Sequence, residues 1–156
     1  MELSGKNGIR TVPAEDFFVG LLQTIKEQDE VLQAITVPTQ SVGAAGAYMR
    51  FCIHERPTAT VAVILHLKDG LIETARVVLG SVGPTPLRIT MAEEMLQGER
   101  PNRELSAAAA ACAREATDAV DDIYGSVEYK GHLAQVLTNR ALTRAIDRIG
   151  GGDSVH

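Results

Sequence analysis

Period-two alternation is strongest over residues 60–67, where Val61, Val63, Leu65 and Leu67 interleave with Thr60, Ala62, Ile64 and His66. Asp69 and Gly70 follow, a pair that supplies the positive φ a tight hairpin needs. Residues 71–79 then return with Glu73, Thr74 and Arg76 among β-branched neighbours. This pattern predicts a β-hairpin turning at Asp69-Gly70. Upstream, 1–7 is polar and 8–13 reads as the end of a short strand. Residues 14–20 read as a turn that sets Phe17 beside Phe18. Residues 31–37 form an imperfect strand closed by Pro38, and 39–46 form a loop of glycines and small polar residues. Pro84 and Pro86 make 80–86 an ordered loop, since prolines that close together exclude a regular element.

Beyond that loop the period changes to 3.6. Residues 87–96 read as a short helix stopped by Gly98 and Pro101. Asn102 or Ser106 caps a second helix built on the alanine run 107–111, with Cys112, Ala113, Ala116 and Ala119 beyond it. A third runs over 126–149, with Tyr129, Leu133, Val136, Leu137, Ala141, Ala145 and Ile149 as its apolar stripe. Strands first and helices last predict an α+β fold: an antiparallel sheet of three to four strands with three helices packed on one face. The glycines at 150–152 begin a frayed tail over 150–156.

Composition narrows the classes. The chain has 156 residues, 45% of them hydrophobic and 22% charged, which suits one globular domain with a sizeable core. Aromatics are only 4% with no tryptophan, so that core is aliphatic. Fifteen basic against twenty acidic residues give a net charge of −5, which argues against a nucleic-acid binder. No apolar run is long enough to span a bilayer, and the first twenty residues lack a signal-peptide core. With two distant cysteines, Cys52 and Cys112, and no CxxC, the expectation is a reduced, cytoplasmic protein without a metal framework.

Candidate chemistry is sparse. His54, His66, His132 and His156 show no metal-ligand spacing, and no Walker A, GxGxxG or GxSxG motif is present. His66 reads as a surface residue and His132 as structural. Asp121-Asp122 reads as a solvated turn rather than an acid/base pair, because nothing places a pocket around it. Arg140, Arg144 and Arg148 recur at i+4 as a basic ridge on the last helix. The densest group of ionisable residues is Arg50, His54, Glu55 and Arg56, within 48–56 just before the hairpin.

Five motifs in order carry a resemblance: Gly8-x-Arg10-x-Val12-Pro13-x-x-Asp16-Phe17-Phe18-x-Gly20; Asp29-Glu30-Val31-Leu32-x-x-Ile35-x-Val37-Pro38; Gly46-Ala47-Tyr48 before a basic segment; Leu79-Gly80-x-Val82-x-Pro84-Thr85-Pro86-x-Arg88; and Glu128-Tyr129-x-x-His132-Leu133-x-x-Val136-Leu137-x-x-Arg140-Ala141-Leu142. The series resembles the C-terminal domain of the FAD-binding (medium) subunit of molybdenum hydroxylases, the carbon monoxide and xanthine dehydrogenase families. The resemblance implies a flavoprotein C-terminal-like domain over 14–149, with 1–13 a remnant of a preceding FAD-domain strand. It implies that FAD is held through a separate N-terminal domain, not tightly by this chain. The implied role is to cover the flavin and dock to an FAD-binding domain, an iron–sulfur subunit and a molybdopterin subunit in electron transfer. The segment after Tyr48 corresponds to a loop beside the isoalloxazine ring, so the implied cofactor-proximal residues are Arg50, Phe51, His54, Glu55 and Arg56. Pro57 stands where the family often has an acidic residue. A stand-alone assembly module without redox activity is the alternative reading. An isolated domain of this kind is expected to form a homo-oligomer through exposed apolar surface marked by Phe17 and Phe18, of which only one ring is easily buried.

Overall fold

A computed structural model describes residues 1–53 and 55–150, so His54 and 151–156 of the expected 150–156 tail lie outside the described residues, while Gly150 belongs to the last helix. The chain divides into two units, Met1–Thr39 and Gln40–His156.

In the first unit, β1 (Glu2–Gly5) and β2 (Gly8–Thr11) form an antiparallel hairpin. One helical turn, α1 (Ala14–Phe17), leads into a two-stranded ribbon of β3 (Phe18–Gly20) and β4 (Gln23–Thr24). β5 (Val31–Ala34) pairs with β1 to complete the sheet order β2-β1-β5. The expectation of a merely polar start is thus corrected. Leu3 is fully buried beside Val12 and Phe17, and the terminal amine donates to the Val12 carbonyl at 3.0 Å. A single leucine sufficed to fix the strand, too little for a periodic signal. Of the aromatic pair, Phe17 is 6% exposed and Phe18 41%, their rings edge to face at 5.1 Å.

The second unit is one four-stranded antiparallel sheet in the order β6-β7-β8-β9, with helices on one face. Its strands are β6 (Ala44–Cys52), β7 (Pro57–Lys68), β8 (Leu71–Gly80) and β9 (Leu87–Arg88). The helices are α2 (Thr90–Leu96), α3 (Arg103–Glu115) and α4 (Val127–Gly150). The predicted hairpin is present, with Lys68 opposite Leu71 and positive φ at both Asp69 (53°) and Gly70 (76°), as a type I′ turn requires. Ala59, Val61, Val63 and Leu65 of β7 and Ala75, Val77 and Leu79 of β8 point at the helices. Against them lie Ala109 and Ala113 of α3, and Leu133, Ala134, Leu137, Ala141, Leu142 and Ala145 of α4. The many alanines let helix and sheet approach closely. Asn102, not Ser106, caps α3, its Oδ1 accepting from the Leu105 N–H at 2.8 Å.

Two expectations are corrected. Residues 44–46 are not loop but the start of β6, because small side chains suit a strand beside a helix as well as they suit a turn. Leu87 and Arg88 are not helical. They pair with Leu79 and Val78 as a fourth strand, and Ile89 donates to the Val77 carbonyl at 2.9 Å before α2 begins.

Candidate functional site

The candidate segment lies mostly in β6 rather than in a loop: Tyr48 to Cys52 are strand, a bulge follows Phe51, and Cys52 faces Pro57. Strand alternation therefore separates the expected residues. Ala47, Met49 and Phe51 face the helices, and the half-buried Phe51 ring meets Tyr129 at 6.3 Å, edge to face. Arg50 points to the opposite, outer face and is exposed, as are Glu55 and Arg56 in the turn before β7. Arg50 and Phe51 thus lie on opposite faces of β6, with Glu55 and Arg56 in the turn beyond them. They flank one end of the sheet from two sides.

Gly125 stands beside that ring contact, at φ 136°, where an added Cβ would come 2.7 Å from a Tyr129 ring carbon. The loop before α4 is fixed from within. Lys130 is 3% exposed and donates to the Val120 carbonyl and the Asp122 carboxylate, both at 2.7 Å. The Lys130 hydrogen bond, then that of the Tyr124 N–H, hold the Asp122 carboxyl below the usual range. Asp121 accepts from the Val127 N–H at 2.7 Å and Ser126 Oγ from the Tyr129 N–H at 3.2 Å. The acidic pair therefore organises a turn, and the N-terminus of α4 is already occupied.

Across the outer face, the register sets Tyr48, Ala62, Val78 and Arg88 in one row. Gly46, Ile64 and Arg76 form the next row, and Arg50, Thr60 and Gly80 another. A groove of about 520 Å³ runs along Ala44–Tyr48 between Gln40, Ile64 and Arg148. Arg148, the last of the predicted basic ridge, bends to donate to the Gly46 carbonyl at the edge of β6. His66 bridges Glu73 at 2.8 Å and reaches the Val42 carbonyl, while His132 is exposed on α4. Sequence reasoning missed the groove, although outward Tyr48 and Ile64 in an alternating sheet were its visible signal.

It also missed a buried carboxylate. Glu93 of α2 is 6% exposed and accepts from the Val77 N–H at 3.0 Å and from Arg88 at 2.7 to 3.1 Å, with Arg76 at 3.6 Å. Burial alone would raise its pKa. The Arg88 and Val77 hydrogen bonds and both guanidinium charges outweigh that and hold it below the usual range. Nothing in the helical pattern of 90–96 marks such a residue.

The family model for the CO dehydrogenase flavoprotein C-terminal domain matches residues 49–145. The chain belongs to this family. Its relatives include the carbon monoxide dehydrogenase medium chain of Hydrogenophaga pseudoflava, 34% identical over 145 residues, 92% of this chain and 50% of the relative. A putative xanthine dehydrogenase FAD-binding subunit of Escherichia coli is 26% identical over 155 residues, 97% of this chain and 53% of that one. A solved carbon monoxide dehydrogenase from H. pseudoflava superposes with a TM-score of 0.90 at 36% identity, over 94% of this chain and 52% of the solved one. The flavoprotein C-terminal domain thus spans about half the length of the proteins it matches, which are FAD subunits of molybdenum hydroxylases. Among the described residues, no helix is long and apolar enough to cross a membrane.

FAD is the cofactor of that family. Binding of a diphosphate by helix N-termini needs unsatisfied N–H groups. At the start of α3 Asn102 takes the Leu105 N–H, and at the start of α4 Asp121 and Ser126 take the Val127 and Tyr129 N–H groups, whereas α2 has no side-chain cap.

Proposed function

We propose that this chain is the part of a cytoplasmic molybdenum-hydroxylase FAD subunit that covers the flavin and docks to its partners, without holding the FAD diphosphate. In this reading a separate N-terminal domain binds the dinucleotide. An iron–sulfur subunit and a molybdopterin subunit complete the electron path. The chain contributes position and shielding rather than catalysis of its own. Arg50, Phe51, Glu55 and Arg56 lie at the end of the sheet nearest the isoalloxazine, where charge tunes flavin potential and acceptor access. Phe51 acts there from behind, seating Tyr129, while Arg50 stands on the outer face.

The observation that carries the reading is that the chain matches only about half of each FAD subunit. The test is a titration of the purified chain with FAD, followed by the visible flavin band. The expected result is no stoichiometric binding at low micromolar FAD. Flavin should be retained once the remainder of the H. pseudoflava medium chain is co-expressed. Stoichiometric binding by this chain alone overturns the reading. Apart from its partners, the chain self-associates through the apolar surface around Phe18.

A further inference from the structure

Residues 41–43 form a strap with little buried surface of its own, just ahead of β6. Ser41 and Val42 are exposed, Val42 at 99%, and the Ala44 N–H closes the turn onto the Ser41 carbonyl at 3.1 Å. Gly43, at φ 84°, lies so near β7 that an added Cβ would come 2.8 Å from the Leu67 carbonyl and 3.5 Å from the His66 ring. Two contacts reach the strap from β7. The Leu67 N–H donates to the Gly43 carbonyl at 3.0 Å, and His66 Nε2 lies 3.1 Å from the Val42 carbonyl.

The other ring nitrogen is engaged as well, since His66 Nδ1 lies 2.8 Å from the Glu73 carboxylate. A bulge brings Glu73 there. His66 pairs with Thr74 but Leu67 with Ile72, so Glu73 is the extra residue of β8, and both Glu73 and Thr74 are exposed. The groups facing the ring are Glu73 and Thr74 from β8, Ala44 in register on β6, and the Val42 carbonyl from the strap. Lys68 of β7 meets the same Glu73 carboxylate at 3.5 Å. A carbonyl and an ionised carboxylate only accept, and a neutral imidazole carries one N–H. Both contacts are therefore hydrogen bonds only when the ring is an imidazolium.

We propose that His66 is a proton-dependent latch on the 41–43 strap, closed while the ring is charged and released when it loses its proton. The neutral ring has to turn a lone pair towards one of its two acceptors. The bond to a charged carboxylate is the stronger, so the remaining proton stays on Nδ1 and the Val42 contact is the one lost. Glu73 keeps Lys68 in either state. The closed strap binds the proton, so closure weakens as the pH rises through the titration of the ring. Gln40, just before the strap, and Ala44, just after it, line the groove of about 520 Å³. Release frees that end of the groove, and access to it rises with pH.

The experiment follows the full chain by NMR between about pH 5 and 8, the range in which histidine titrates. His66 resonances are assigned by their loss in His66→Gln, and far-UV circular dichroism checks the fold of each variant. Amide exchange of Leu67 is read as a protection factor, with the intrinsic pH dependence of exchange divided out. The expected result is protection that falls about threefold or more as His66 loses its proton, with both ring nitrogens protonated before the fall and Nδ1 alone after it. His66→Gln should leave Leu67 protection independent of pH. Glu73→Gln should move the fall to lower pH, because the carboxylate no longer favours the charged ring. Protection constant with pH in the parent chain overturns the proposal. So does an equal fall in His66→Gln, a fall unmoved by Glu73→Gln, or a ring that carries a single N–H throughout.

Discussion

Arg10 and Glu30 form the tightest ion pair of the first unit. The Arg10 Nε lies 2.6 Å from Glu30 Oε1, its Nη2 2.9 Å from Oε2, and the Glu27 N–H adds a third bond to the carboxylate. The Arg10 hydrogen bonds, helped by the Glu27 N–H, lower the Glu30 pKa from 4.5 to about 2. A depressed acid favours the folded form wherever it is ionised. The contribution is therefore complete above pH 4.5 and is lost as the pH falls towards 2. An NMR titration should place the Glu30 midpoint near 2, and Arg10→Met should return it towards 4.5. A midpoint unchanged by that substitution would contradict the assignment. At this scale the sequence was partly readable. That one ring of Phe17 and Phe18 would stay out followed from crowding alone, and Phe18 is the one exposed. Glu93 and Lys130 were not readable, since their partners Arg88 and Asp122, five and eight residues away, meet them across a change of element that no periodic pattern marks.

Elements were legible where a period ran long enough to be counted. The β7–β8 hairpin and α4 fall within a few residues of their expected bounds because each repeats its pattern over several turns or pleats. β6 and β9 were misread, the first because Ala44-Ala45-Gly46 has no pattern, the second because two residues make no period. Ala134, Ala141 and Ala145 set how closely α4 approaches the sheet. Ala141 is fully buried among β-sheet and helix side chains. Ala141→Leu adds three carbons at a fully buried position, so it should destabilise the fold by about 1–3 kcal/mol. Urea denaturation measures this as a lower midpoint at unchanged slope, and an unaltered midpoint would mean the helix can move away.

For the whole molecule, the family was legible because five weak motifs stood in one order, and the match over 49–145 bears that out. Nothing in composition or periodicity alone would have led there. Phe18 at 41%, Val19 at 57%, Leu21 at 71% and Leu22 at 97% exposure crowd one ribbon of the first unit. Such a patch, on a chain with little charge repulsion, should drive self-association. Sedimentation equilibrium should then give a weight-average mass that rises above 16.7 kDa with concentration, and Phe18→Ser should lower it. A mass constant at 16.7 kDa would refute it.

The bond from Arg148 to the Gly46 carbonyl has a consequence for solubility. β6 ends the sheet, and an end strand offers its outward backbone groups to any extended chain that drifts alongside. A guanidinium already seated on one of those carbonyls must be displaced before a foreign strand can zip on, and a bulky, charged side chain lies across its path. The final helix thereby guards the rim of the sheet against fibre-like stacking, and it does so with a residue near its own C-terminus.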